Sequence, residues 1–159
     1  MELVECFKEI MRDFPTGVTV VTSTWRGKPA GMTVNTFNSL SLNPPLVAFF
    51  ADVTRGNHLP FVESSSFAVN FVDSPELLNS FAFRPLEERF KGVEYRIGSG
   101  GSPILAQAYA YLESSRERVM EVGDHVVIVG RVEAGARVRD PQPLVYYRRA
   151  YWRLCPLQP

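Results

Sequence analysis

Between Gly31 and Ser41 the chain reads GMTVNTFNSLS, which sets four hydroxyls (Thr33, Thr36, Ser39 and Ser41) and two carboxamides (Asn35 and Asn38) into a stretch bordered by apolar runs. A buried polar group must be hydrogen-bonded. These side chains therefore either face water along a half-exposed strand or face a ligand that carries carbonyl and imide groups of its own. Composition alone leaves both readings open. Elsewhere the candidates are weaker. Gly98-Ser99-Gly100-Gly101 lacks the preceding strand, the following helix and the lysine of a phosphate-binding loop, so it reads as a connector. His58 and His125 have no cysteine or carboxylate at ligand spacing, which argues against a metal site. No Gly-x-Ser-x-Gly elbow offers a serine nucleophile.

The bulk properties narrow the partners. At 159 residues and 45% hydrophobic content, the chain suits one domain, residues 1–159, with one substantial core. Lys plus Arg and Asp plus Glu are 17 each, so no net positive field gathers nucleic acid or an acidic membrane. Cys6 and Cys155 form neither a disulfide framework nor a zinc spacing, which suits a reducing compartment. No secretory signal pattern or membrane-length apolar run is present, and a cytoplasmic location is expected.

The elements that must position the polar stretch follow from periodicity. Leu3, Cys6, Phe7, Ile10, Met11 and Phe14 fall on one helical face, and Pro15-Thr16-Gly17 ends that helix. Val18–Thr24 is rich in Val and Thr and reads as a strand, followed by a hairpin turn at Trp25-Arg26-Gly27-Lys28. A second strand is expected to run unbroken over Ala30–Leu42, up to Asn43-Pro44-Pro45. Leu46–Ala51 is almost wholly apolar, as in a strand buried on both faces. A polar loop over Asp52–His58, a short helix through Leu59, Phe61 and Val62, and a strand over Phe67–Val72 come next. Ser74-Pro75 starts a helix carrying Leu77, Leu78, Phe81 and Ala82. Glycine and proline place a long, mobile loop at Lys91–Pro103. Long strands over Tyr109–Val119 and Val126–Val138, and one or two more within Leu144–Leu154, complete the count of about seven. Strands that do not alternate with helices favour an antiparallel Greek-key β-barrel with helices outside it.

In its order of motifs the chain resembles the flavin reductase family, which has an FMN-binding split β-barrel and includes the reductase components of two-component flavin monooxygenases. The matching pieces are Phe14-Pro15-Thr16-Gly17-Val18, Gly31 to Phe37, Ser39 to Leu42, Pro44-Pro45-Leu46-Val47, Gly123-Asp124-His125 with Gly130 and Val132, and Pro143 to Tyr146 with Tyr151. The resemblance implies an NAD(P)H:flavin oxidoreductase that passes a hydride from NADH or NADPH to FMN or FAD. It implies a homodimer, and a partner monooxygenase that receives reduced flavin. A flavin-binding electron carrier without a nicotinamide site is the alternative, and a pyridoxamine-phosphate-oxidase-like enzyme a third.

Carried over by position, the resemblance places Thr33, Val34, Asn35 and Thr36 along the isoalloxazine, with Ser39 and Ser41 nearby. Ala51 and Asp52 fall beside the ribityl chain, and Thr54, Arg55 and Asn57 on the phosphate loop. Phe81, Ala82 and Arg84 belong to the helix that reaches over the flavin, although Arg84 also suits a surface ion pair. His125 is the expected nicotinamide contact, its other reading being a plain hairpin residue. Tyr151, with Arg148 and Arg149, could close the site, but Ala150 stands where many relatives carry glycine.

Overall fold

The computed structural model describes residues 2–158. Seven strands form one antiparallel sheet: β1 (Thr19–Trp25), β2 (Lys28–Val34), β3 (Asn38–Leu42), β4 (Pro45–Asp52), β5 (Ser66–Phe71), β8 (Ala110–Val122) and β9 (His125–Arg137). Two separate hairpins pair β6 (Tyr95–Ile97) with β7 (Pro103–Leu105), and β10 (Leu144–Tyr147) with β11 (Ala150–Arg153). Helices α1 (Leu3–Arg12), α2 (Leu59–Glu63) and α3 (Pro75–Phe83) lie outside.

The sheet order β2-β1-β5-β8-β9-β4-β3 puts β2 and β3, consecutive in the chain, at its two opposite ends. Only residues 35–37 connect them, so the sheet must roll until its ends meet. The barrel is left split along that seam. Here the expected unbroken strand over Ala30–Leu42 is corrected to two strands. The chain crosses the split at Asn35-Thr36-Phe37, where a side chain replaces the ladder. Thr36 Oγ1 donates to the Phe50 carbonyl at 2.7 Å and accepts from the Phe50 amide at 3.0 Å.

Turn chemistry fixes the hairpins. Arg26 (φ 52°) and Gly27 (φ 76°) make the two-residue turn that registers Trp25 against Lys28. Gly123 (φ 61°) and Asp124 do the same between Val122 and His125. Ser74 caps α3 as expected, its hydroxyl accepting from the Leu77 amide.

Alternation along β1 separates two cores. Val21 faces the barrel interior with Phe49, Phe61, Phe67 and Ile128, where Phe49 meets Phe61 and Phe67 edge to face at 5.3 and 5.2 Å. Val20 faces outward, onto Leu77, Leu78 and Phe81 of α3. Gly31 lets that helix close on β2, since a Cβ there would lie 2.8 Å from the Phe81 ring.

Two further expectations are corrected. Leu46–Ala51 is not buried on both faces: Val47, Phe49 and Ala51 point inward while Phe50 is 47% exposed, because a barrel strand is covered on one side only. Residues 91–103 are not without regular structure. They form most of the β6–β7 hairpin, in which the Gly98 amide bonds the Ser102 carbonyl at 2.9 Å. Buried Glu113 of β8 holds the tip by accepting from the Gly100 amide (2.9 Å) and the Ser99 hydroxyl (3.0 Å). The amphipathic first helix is present, but no residue of α1 is buried, and Leu3, Phe7, Ile10 and Met11 remain exposed. Among the described residues no helix is long and apolar enough to cross a membrane.

Candidate active site at the barrel seam

The break between β2 and β3 opens a cleft of about 360 Å³. Its walls are the end of β2 and the linker (Met32 to Thr36), the end of β4 (Phe50 to Asp52), the following loop (Thr54, Arg55, Asn57) and His125 at the start of β9. Strands end here because the chain must leave the barrel, and loop groups held by strand ends are well suited to binding.

Each wall is fixed by its own contacts. β2 is an end strand of the sheet, so alternate peptide groups lack a ladder partner. The Gly31 carbonyl, on that free edge, accepts from Arg89 Nη1 at 3.0 Å, and strand alternation turns the peptide groups of Thr33 the same way. The Thr33 hydroxyl donates to the Leu78 carbonyl at 2.7 Å, tying β2 to α3. On the opposite wall, Asp52 accepts from both the amide (2.6 Å) and the hydroxyl of Thr54, which shapes the loop after β4. Those two bonds, the hydroxyl's first and then the amide's, hold the Asp52 carboxyl below the usual carboxylate range, and positive charge at His125 and Arg55 adds to the effect. Asp52 and His125 are ladder partners. His125 Nδ1 lies 2.7 Å from Asp124 Oδ1, which orients the ring at the cleft edge.

Three side chains in the cleft are left without a hydrogen bond or ion-pair partner among the described residues. They are Asn35 and Arg55, both exposed, and the half-buried Asn57: one carboxamide at the seam, and a guanidinium and a second carboxamide on the loop. That donor set fits a flavin mononucleotide unit, whose ring carbonyls would meet Asn35 and the free edge of β2. Its phosphate would meet Arg55 and Asn57.

Of the site residues expected from sequence, the cleft brings together Thr33, Val34, Asn35, Thr36, Ala51, Asp52, Thr54, Arg55, Asn57 and His125. Ala82 and Arg84 line an adjoining hollow that shares Arg55 and Asn57 with the cleft. Phe81 is fully buried beneath Gly31 and supports the wall from behind. Ser39 and Ser41 lie on β3 outside the cleft lining, and Tyr151 on β11 packs against Tyr146 at 5.7 Å. Met32 and Phe50 line the cleft without having been anticipated. Phe50 carried no local signal, since it sits in an all-apolar run where only the pairing decides which residue faces out. No group of three or more potential metal ligands occurs among the described residues.

The family model for the flavin reductase like domain matches residues 11–154. The chain is 41% identical over 129 residues to stachydrine N-demethylase reductase subunit Stc3 of Rhizobium meliloti (strain 1021), covering 80% of this chain and 56% of that one. It is 34% identical over 146 residues to HsaB, the reductase subunit of a flavin-dependent monooxygenase of Rhodococcus jostii (strain RHA1), covering 91% and 75%. The chain spans 40% and 56% of the lengths of two of the curated relatives it matches. Among solved structures it superposes on the flavin reductase HpaC complexed with NADP+, with a TM-score of 0.92 and 54% identity over 96% of this chain and 98% of that one. A split barrel with its open polar cleft at the seam, matched over residues 11–154, places this chain in the flavin reductase like domain family.

Proposed function

We propose that this chain is an NAD(P)H-dependent flavin reductase that binds FMN or FAD in the seam cleft and draws a hydride from NADH or NADPH. The observation that carries the reading is the set of unpartnered Asn35, Arg55 and Asn57, spread along one cleft beside the free edge of β2. When bound, the flavin would supply the two-electron acceptor for the nicotinamide hydride. The protein's part is positional. Asn35 and the β2 edge orient the ring, Arg55 and Asn57 anchor the phosphate, and the Thr36–Phe50 bonds keep the seam from shifting beneath it. His125, held by Asp124, would donate to or stack on the nicotinamide carboxamide. No side chain needs to act as a strong acid or base.

Three finer points belong to the same reading. Residues 1–159 act as one unit. A second copy of the chain covers the exposed apolar face of α1, because Leu3, Phe7 and Ile10 are too large and too contiguous to be left in water. Reduced flavin leaves for a flavin-dependent monooxygenase, as suits relatives named as reductase subunits of such enzymes.

Anaerobic mixing with FMN and NADH or NADPH, followed at the oxidised flavin band, tests the reading. Bleaching with one nucleotide supports it. Retained colour with both sinks hydride transfer and leaves the electron-carrier alternative.

A further inference from the structure

Only two charged side chains lie buried among the described residues, Glu113 and Arg89. Glu113 has a structural task, since it holds the tip of the β6–β7 hairpin through the Gly100 amide and the Ser99 hydroxyl. Arg89, 4% exposed, makes different contacts. Its Nε donates to the Arg84 carbonyl at the C-terminal end of α3 (2.9 Å), and its Nη1 to the Gly31 carbonyl on the free edge of β2 (3.0 Å). Two peptide carbonyls need donors, and a neutral amide could supply them. They do not need a full positive charge taken out of water.

That charge has no carboxylate partner among the described residues. Arg89 shares a hollow with Arg55, Asn57 and Arg84, in which Glu87 is the one carboxylate, and Glu87 is exposed. Burial lowers the affinity of the guanidinium for its proton, with negative charge at Glu87 acting the other way. An interior cation retained against its own desolvation acts on something beyond its two hydrogen bonds. The register of β2 shows where. The peptide groups of Gly31 and Thr33 point out along the same free edge, and two strand residues rise about 7 Å. Arg89 fills the rung at Gly31, and the next rung, at Thr33, faces the seam cleft. A ring bonded at Thr33 thus lies about one rung from a buried, un-neutralised charge that water screens little.

We infer that Arg89 is a positioning residue whose charge favours the reduced flavin, acting along the Gly31–Thr33 edge of β2 rather than by contact. The inference rests on the flavin-site reading above. Hydride transfer breaks a C–H bond of the nicotinamide ring, which becomes cationic, and leaves the flavin with the added hydrogen and one negative charge. A cation fixed beside the ring edge stabilises that added charge without having to move. Arg89 therefore tightens the binding of reduced FMN relative to oxidised FMN and raises the midpoint potential of the bound flavin.

Redox titration of the full chain with bound FMN, run beside urea unfolding, separates charge from bonding. Arg89→Gln keeps a donor and removes the charge, whereas Arg89→Lys keeps the charge and loses the fork of the guanidinium. Arg89→Gln should lower the ratio of reduced to oxidised FMN affinity roughly tenfold, which is about 30 mV for a two-electron couple. Arg89→Lys should stay within about threefold of the parent chain whatever its stability. Glu87→Gln removes the exposed opposing carboxylate and should raise the ratio about twofold, and it decides the matter if Arg89→Gln does not fold. A potential unchanged in Arg89→Gln, or lowered equally in both Arg89 variants, overturns the inference and leaves flavin binding intact, with Arg89 serving only the joint between β2 and α3. A ratio unmoved or lowered in Glu87→Gln overturns it as well. If FMN does not bind the parent chain, the flavin-site reading falls together with this one.

Discussion

Polar residues are handled in opposite ways at the two ends of β1. Beneath the β6–β7 hairpin every strong donor has a partner within the chain. Asn70, fully buried, donates to the Val20 carbonyl (3.2 Å) and the Thr22 hydroxyl (2.9 Å) and accepts from the Leu105 amide (2.9 Å), while Thr22 donates to the Pro103 carbonyl (2.6 Å). At the seam cleft, Asn35, Arg55 and Asn57 are left without partners among the described residues. The polar groups of the first region fix a fold, and those of the second, on the reading proposed above, receive a ligand. A carboxamide does both jobs, and what distinguishes them is whether its bonds close on the chain itself.

Removing Asn70 should show the largest effect. Asn70→Leu strands the Leu105 amide in a dry interior and removes the donor that the Thr22 hydroxyl accepts from, and should cost about 3 kcal/mol in urea unfolding. Any flavin binding by the folded fraction should be unchanged; a selective loss of flavin affinity would erase the contrast between the regions.

Next comes Asp73, whose side chain is 11% exposed and accepts from Arg139 at 2.6 and 2.8 Å and from the Gln142 amide. The Arg139 bond is the main cause that lowers its pKa from 3.8 to about 2, with the Gln142 amide helping against burial. A carboxyl whose folded pKa lies below its unfolded one stabilises above the unfolded value, and that contribution is lost as pH falls through the folded value. About 2 kcal/mol should therefore disappear between about pH 4 and pH 2, and Asp73→Asn should lack that component. Matching urea midpoints across pH for the two proteins would refute the assignment.

Arg55→Ala sharpens the other side. On the proposed reading it should weaken flavin binding roughly tenfold through loss of a charge-assisted bond to phosphate, while the unfolding midpoint stays put because Arg55 bonds nothing among the described residues. A fall in stability without a fall in affinity would move Arg55 into the structural group. The smallest effect is expected at His125→Ala, with the nicotinamide KM rising about fivefold and flavin affinity unmoved. Parallel losses of both would place His125 against the flavin instead.

What the sequence made legible follows from which forces are local. The turns at Arg26-Gly27 and Gly123-Asp124, the Ser74 cap and the amphipathic face of α1 all depend on neighbours a few residues away, and all four are present. The break at Asn35-Thr36-Phe37 was not legible, because those residues are compatible with a strand and only the rolling of a seven-stranded sheet forces the chain to leave it there. Nor was the β6–β7 hairpin, whose glycine-rich tip is ordered by Glu113, from a strand later in the chain. The ten expected residues that meet in the cleft lie on four segments, and the order of motifs along the chain placed them together where periodicity could not. Ser39 and Ser41 look equivalent to Thr33 and Asn35 in composition but fall beyond the seam, on the far end of the sheet.

The Thr36 hydroxyl, with its paired bonds to Phe50, sets the mechanical character of the barrel. A continuous ladder resists opening along many rungs at once, whereas here one rotatable side chain forms the clasp. Serine could keep the clasp with more slack, and valine would keep the shape but leave both Phe50 peptide groups unlatched. The Thr36 hydroxyl is thus a fastener at the mouth of the cleft, and the stiffness of the seam can be adjusted at that position without redrawing a strand.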